Sequence, residues 1–432
     1  MVNNLPQTAK INNSGILEIG GRDVISLAKE FGTPLYVIDE GTLREKCRSY
    51  KKSFGSNYSN IQVVFAGKAL CTTAIFKIIH DEGLGFDVVS GGELYTALKA
   101  GCDPKKLFLH GNNKTHDELK EALKAGVGRI VVDNIPELEI LDELTKGGGH
   151  RAEVLLRINP GIEAHTHEYI KTGQIDSKFG ISKKEVIKAV KLIENMKNVD
   201  FKGLHAHLGS QILKTDAFVE EIDVLLKLAA DIYKETNIEV EEIDLGGGLG
   251  ITYVDEKPPA IESFARTLCD SFKKKAAQYK LAEPKLIVEP GRSIVGNAGV
   301  TLYTIGGVKD IPGIRKYVFV DGGMGDNPRP ILYQARYDAL IGNRANSKRQ
   351  EKVTIAGRFC ESGDVLIKDI KLQKPEVGDI LVVMATGAYN YSMASNYNRV
   401  GRPSMVIVKD GSASLIVKRE SNEDIIKNDV IV

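Results

Sequence analysis

Short β-branched apolar runs alternate with longer stretches of helical period from about residue 37 onward, the pattern of βα units around a parallel sheet. Eight such runs stand out: IQVVFAG (61–67), FDVVS (86–90), LFLHG (107–111), RIVVD (129–133), EVLLRIN (153–159), FKGLHAHLG (201–209), EEIDLGG (241–247) and KLIVEPG (285–291). Between them lie segments such as TTAIFKIIHDEG, GELYTALKAG and THDELKEALKAG, several closed by a glycine where a helix C-cap belongs. An open doubly wound sheet would share this alternation. Eight evenly spaced units over roughly 250 residues favour closure into a (β/α)8 TIM barrel.

After residue 296 strand patterns take over, in YVFVDGG, KVTIAGRFC, DILVVMATGAY and SMVIVKDGSASLIVKRE, the last reading as a hairpin that turns at Asp410-Gly411. The first 36 residues are too short to fold alone and are expected to join this β-rich part. The predicted organisation is therefore an α/β barrel domain over 37–295 inserted into a β-domain made of 1–36 and 296–432, barrel-like or sandwich-like. Lys+Arg number 58 against 57 Asp+Glu, so a net charge of +1 gives no field for nucleic acid or an anionic membrane and the expected ligand is small. Five scattered cysteines without a CxxC pair argue against a disulfide framework or zinc knuckle and fit a reducing cytoplasm. No apolar run is long enough to span a bilayer.

In a TIM barrel the residues finishing each strand face the active site. Here they are Lys68, Ser90, His110, Asp133, Arg157 with Asn159, His207, Gly246-Gly247-Gly248, and Glu289-Pro290-Gly291-Arg292. Lys68 either snorkels from a strand end or has chemistry to do. His205 and His207 share a strand face and could bind metal, but no third donor has matching spacing, so packed or stacking histidines are expected and no metal is assigned. GGGLG fails the dinucleotide spacing because residue 251 is Ile, and a Walker lysine at 68 would need Gly at Gln62 and Ser or Thr at Ala69. What remains is glycine-rich backbone after strands seven and eight, where barrels commonly seat a phosphate. An amine, a phosphate seat and a strand-end carboxylate are the needs of pyridoxal 5'-phosphate: a bond to its aldehyde, a cradle, and an acid that keeps its ring nitrogen protonated.

The chain resembles the diaminopimelate decarboxylase family over nearly its whole length, through TPLYVIDEGTLREK, FAGKAL, FDVVSGGELYTAL, LHGNNK, LLRINPGI, HEYIKTGQIDSKFGI, GLHAHLGSQI, DLGGGLGI, EPGRSIV, GRFCESGD and GAYNYSMASNYN. The resemblance implies an N-terminal barrel that binds pyridoxal phosphate and a C-terminal β-domain. It implies that Lys68 bonds the cofactor, that His207 stacks on its ring, and that Ser210, Gly247, Gly248, the backbone of Gly291 and Arg292, and Tyr389 hold its phosphate. Glu289 would pair with the ring nitrogen. For the substrate it implies Arg292, Arg329, Tyr333 and Tyr389, the first three on a distal carboxylate, and Glu361 on the distal ammonium. Cys360 resembles a proton donor that acts on the neighbouring subunit's site, which implies a homodimer with shared active sites.

The expected reaction is decarboxylation of meso-2,6-diaminopimelate to L-lysine and carbon dioxide, the last step of lysine biosynthesis. A carboxylate at the ring nitrogen suits decarboxylation, whereas similar racemases place a cation there. Arginine forks suit a carboxylate that survives the reaction; an enzyme for ornithine or arginine would want acidic groups alone at that end. Arg336 reads as a surface charge. Two departures stand near the lysine, since the family often has Tyr at Phe65 and Asn at Leu70. The alternatives are a decarboxylase of another basic amino acid or of carboxynorspermidine, and a non-catalytic barrel that carries pyridoxal phosphate. Proteins of the latter kind end with the barrel and lack the segment that bears Cys360, Glu361 and Tyr389.

Overall fold

The computed structural model of the chain describes residues 4–147, 149, 151–162 and 177–432. The greater part of HEYIKTGQIDSKFGI, residues 167–176, lies outside the described residues. Two compact units divide the chain: Cys47–Gly250 with Pro258–Gly291, and Met1–Lys46 with Ile251–Lys257 and Arg292–Val432.

In chain order the second of these units opens with β1 (Lys10–Ile11), β2 (Leu17–Ile19) and β3 (Arg22–Asp23), a small antiparallel sheet, and then β4 (Leu35–Asp39). The other unit is a closed parallel barrel of β5 (Ile61–Ala66), β6 (Gly85–Val88), β7 (Leu107–Leu109), β8 (Arg129–Val132), β9 (Ala152–Arg157), β10 (Val199–His205), β11 (Glu242–Asp244) and β12 (Lys285–Val288), with β12 pairing back to β5. All eight predicted strands are there, and they stop one to four residues short of the predicted ends. Past those ends single backbone bonds still tie neighbouring segments, Glu289 N–H to the Gly246 carbonyl at 2.8 Å and Ala66 N–H to the Pro290 carbonyl at 3.2 Å. Val64, Phe108, Val131, Leu155 and Ile287, one from each of five strands, form an apolar layer inside the barrel, so it is a packed core with no pore.

Helices alternate with these strands where the caps predict. The helix His116–Ala125 starts on a capping box of Thr115 and Glu118 and ends at Gly126, whose φ of 71° is the left-handed geometry that glycine adopts without Cβ strain. The helix Asp216–Thr236 instead ends on Asn237 with φ 59°, the commonest non-glycine substitute there.

The β-rich unit continues with β13 (Gly299–Ile311), β14 (Arg315–Val320), β15 (Ala339–Ile341), β16 (Glu351–Ala356), β17 (Val365–Leu372), β18 (Ile380–Val383), β19 (Ser404–Lys409) and β20 (Ser412–Val417). They form a mixed nine-stranded sheet in the order β17-β16-β14-β13-β4-β19-β20, with β18 on β13 and β15 on β18. The sequence pattern predicts β14, β16, β18 and the β19–β20 hairpin, which turns at Asp410 and Gly411 with φ 48° and 80°. It misses the longest strand, β13, because Gly306-Gly307 reads as a turn. In the fold that pair is a bulge: residues 299–304 pair with β4 and β18, the register shifts between Ile305 and Gly307, and the remainder pairs with β14. β15 and β17 are missed as well. Among the described residues no helix is long and apolar enough to cross a membrane.

Candidate active site

Lys68 lies in a single 3-10 turn, Gly67–Ala69, directly after β5. Its side chain is 38% exposed, and Nζ stands 3.4 Å from Oδ2 of Asp87, a fully buried acid of β6. The lysine thus has an acidic neighbour inside the barrel mouth and is not merely snorkelling. Phe65, one of the two departures, is fully buried with its ring at right angles to Phe76 and close to that with Phe86, and Leu70 is equally buried. Apolar packing fills the positions where the family often has polar groups.

Glu289 follows β12 and is 3% exposed. His110 Nε2, from the end of β7, stands 2.8 Å from Glu289 Oε1, and His205 Nε2, the last residue of β10, 3.5 Å from Oε2. Burial pushes the Glu289 carboxyl up, and the two imidazoles more than reverse this, leaving it well below the usual carboxylate range. Burial drives His205 itself down to about 3, so it faces Glu289 as a neutral ring at neutral pH. Behind them Asp244 is buried and pushed well above its usual value, first by burial and then by the Glu289 charge, so it is held protonated. The sequence pairs His205 with His207, whereas the fold sets His205 against His110 and Glu289, groups at unrelated spacing. Ligand atoms of His110, His205 and Glu289 lie within 4.8 Å of one another. Their sequence positions are far apart, and only barrel closure brings them together.

His207 lies past the end of β10, half-buried. Its Nδ1 accepts from the Gly247 N–H at 3.3 Å, which leaves the ring proton on Nε2. Burial and the Lys68 charge hold His207 well below its ordinary value, hence neutral. The glycines after β11 are required by close approach: a Cβ on Gly247 would stand 2.1 Å from the Glu289 carbonyl oxygen, and one on Gly246 2.7 Å from that of Ala206. A Cβ on Gly291 would meet the methyl groups of Ala66 and Ala69 less severely, at 3.0 and 3.1 Å. Ser210 is half-buried in the turn between β10 and the helix Asp216–Thr236.

In the β-rich unit Arg292 and Arg329, each 5% exposed, converge on one phenol: Arg329 Nη1 donates to Tyr253 Oη at 3.0 Å, and Arg292 Nη1 donates to the same oxygen. Arg329 also donates to Tyr337 Oη. The Arg292 guanidinium lies 4.8 Å above the ring of Tyr389, whose φ of 64° is rare for a residue with a Cβ. Tyr333 ends the short helix Arg329–Tyr333 and is half-buried. Arg336 is exposed and pairs with Asp255, as a surface charge would. Cys360 and Glu361 are exposed, and the segment YSMASNYN holds them: the Cys360 N–H donates to Asn398 Oδ1 at 2.9 Å and the Tyr397 hydroxyl donates to Glu361. Two motifs that the sequence singles out separately are thus one structure.

The loop that leads to Arg329 turns on Asp326, which accepts from Gly323 N–H at 2.8 Å and from the Tyr303 hydroxyl. Burial, only partly offset by Tyr303, raises its carboxyl from 3.8 to about 7. A raised carboxyl costs stability once the unfolded chain ionises, so the cost is absent below about pH 4, grows toward pH 7 and is then constant, reaching up to about 4 kcal/mol. Asp326→Asn is expected to flatten this decline. Urea midpoints of both proteins at pH 5 and pH 8 check it, and equal losses in the two would refute it.

The barrel residues fit pyridoxal phosphate. Asp87 Oδ1, His110 Nε2, His205 Nε2 and Glu289 Oε1 are all buried without a well-aligned hydrogen bond, so the mouth holds polar atoms that await a partner. An amine, a buried carboxylate, a neutral imidazole and close-packed glycine backbone make up the donor set. These features define a pyridoxal-phosphate barrel enzyme, and residues 40–296 match the family model described as "Pyridoxal-dependent decarboxylase, pyridoxal binding domain". The curated diaminopimelate decarboxylase of Bacillus subtilis (strain 168) is 46% identical, over 98% of this chain and 97% of its own. That of Synechocystis sp. (strain ATCC 27184 / PCC 6803 / Kazusa) is 47% identical over 99% and 93%. A crystal structure of diaminopimelate decarboxylase from M. jannaschii in co-complex with L-lysine superposes with a TM-score of 0.91 at 38% identity, covering 100% of this chain and 99% of that one. The chain belongs to the diaminopimelate decarboxylase family.

Proposed function

We propose that this chain decarboxylates meso-2,6-diaminopimelate to L-lysine and carbon dioxide in the cytoplasm, as the last step of lysine biosynthesis, acting as a homodimer with shared active sites. The observation that carries the reading is Glu289, a buried carboxylate held ionised between two imidazoles after β12. When bound, pyridoxal phosphate supplies a carbonyl that takes the substrate amine and a protonated ring that accepts the electrons left by departing carbon dioxide. In the barrel unit Lys68 would hold the cofactor covalently, Glu289 would keep the proton on the ring nitrogen, and His207, its orientation fixed by Gly247, would serve the ring. Ser210, Gly247, Gly248 and Gly291 serve the phosphate.

In the β-rich unit Arg292 and Tyr389 serve the phosphate, and Arg292, Arg329, Tyr333 and Tyr389 serve the substrate. The distal carboxylate is assigned to the two arginines because Arg329 is buried with only phenols as partners among the described residues. Glu361 takes the distal ammonium, and Cys360 delivers a proton to the α-carbon in the neighbouring subunit. Its exposure in the single chain suits that role. Arg329→Gln is expected to raise KM for diaminopimelate roughly 10- to 100-fold, the loss of a charged hydrogen-bond pair. The reading as a whole is tested by carbon dioxide release from diaminopimelate, ornithine, arginine and carboxynorspermidine. Release from one of the last three and not from diaminopimelate would sink it.

A further inference from the structure

Tyr253, which no sequence motif marks, is the point on which two buried arginines meet. Its backbone is pinned on both sides, with the carbonyl accepting from Asn4 Nδ2 at 2.7 Å and the N–H donating to Glu256 Oε2 at 2.9 Å. Its ring packs edge-on against Tyr337 at 5.3 Å, and the Arg329 guanidinium lies 5.0 Å from its centre. Oη accepts from both Arg292 and Arg329, which occupies its two lone pairs. Among the described residues no acceptor stands for its remaining proton. A phenol oxygen supplies lone pairs but no full negative charge, and Arg329, whose guanidinium has only phenols as partners among the described residues, is left with its charge uncompensated. The arrangement is that of an anion seat with a neutral oxygen keeping the place.

We propose that Tyr253 is the specificity-determining residue of this seat: its oxygen holds the Arg292 and Arg329 forks aimed at one point, and its hydroxyl donates to the ligand carboxylate that takes up those forks. The inference rests on the reading above that the two arginines receive the substrate's distal carboxylate. A carboxylate brings the charge that the phenol lacks and accepts the unused phenolic proton, so exchanging one oxygen for the other favours binding. A ligand ending in hydrogen or an ammonium brings no such acceptor. Burial pushes the Tyr253 phenol up, but the two guanidiniums outweigh it and hold the group below its ordinary value, which makes it a stronger donor.

Equilibrium binding of L-lysine and of cadaverine to the holoenzyme tests this, because the two differ only by the carboxylate and neither needs to turn over. Wild type is expected to favour lysine, and Tyr253→Phe to reduce that preference roughly tenfold, the size of one hydrogen bond to a charged group. A preference unchanged in Tyr253→Phe overturns the inference, whether both ligands weaken together, as a merely structural role would have it, or neither changes. Arg329→Gln separates the two levels: a preference that survives there overturns the carboxylate seat itself. Should Tyr253→Phe fail to fold, the near-ultraviolet tyrosine difference spectrum of the wild type decides. Lysine but not cadaverine is expected to perturb it, and equal spectra overturn the proposal.

Discussion

Lys68→Ala is expected to abolish turnover and to release the cofactor on dialysis, while the fold survives. The side chain is more than a third exposed and its removal opens no core cavity, so the loss falls on chemistry. A positioned proton-transfer group alone contributes roughly 10²- to 10⁴-fold, and losing the covalent hold on the cofactor comes on top of that. Borohydride reduction of the wild type followed by peptide mapping gives the direct measurement. A tag on any other lysine would remove the basis of the functional reading. The same variant reports on assembly: mixed with Cys360→Ala chains, it should regain part of the activity if Cys360 serves the neighbouring subunit, and a mixture as inert as its components would argue for sites within one chain.

Glu289→Gln should have the second largest effect. The amide keeps the shape but not the charge that holds a proton on the ring nitrogen, and a single preorganised electrostatic group of this kind contributes roughly 10²- to 10³-fold to kcat. Because the change alters the electronic sink and not the substrate seat, KM should move little while kcat collapses. The His110 and His205 rings would then face an amide, so a modest change in stability is expected too. Steady-state kinetics with diaminopimelate separates the two constants, and a kcat within a few-fold of wild type would refute the assigned role.

How much of this was legible beforehand depended on whether the information is local. The eight barrel strands are continuous β-branched runs bounded by turns, so each could be located from its own residues. Lys68, Glu289 and Arg292 could be found because barrel active sites collect at strand ends. β13 could not, since the glycine pair that bulges inside it looks the same in sequence as one that ends a strand. The clamp on Glu289 was hidden for another reason: His110 and His205 are visible as strand-end residues, but which groups they face is settled by barrel closure. Asp87 and Asp244 are acids within or ending apolar strands, and such a buried acid needs a neutralising partner or its proton. Tyr253 and Tyr337 had no local mark at all. Each is one tyrosine among 15, and only the two arginines that converge near them set them apart.

The β4 strand has a consequence for how the polypeptide is made. Its neighbours are residues 299–302 on one side and 404–408 on the other. It therefore leaves the ribosome hundreds of residues before either arrives, as the apolar run LYVID with both edges bare. The closed barrel can complete itself while translation continues, whereas the sheet around β4 waits until synthesis is almost finished. Slow or interrupted elongation past residue 300 would thus expose this short stretch to mispairing and make it the natural place for a chaperone to hold.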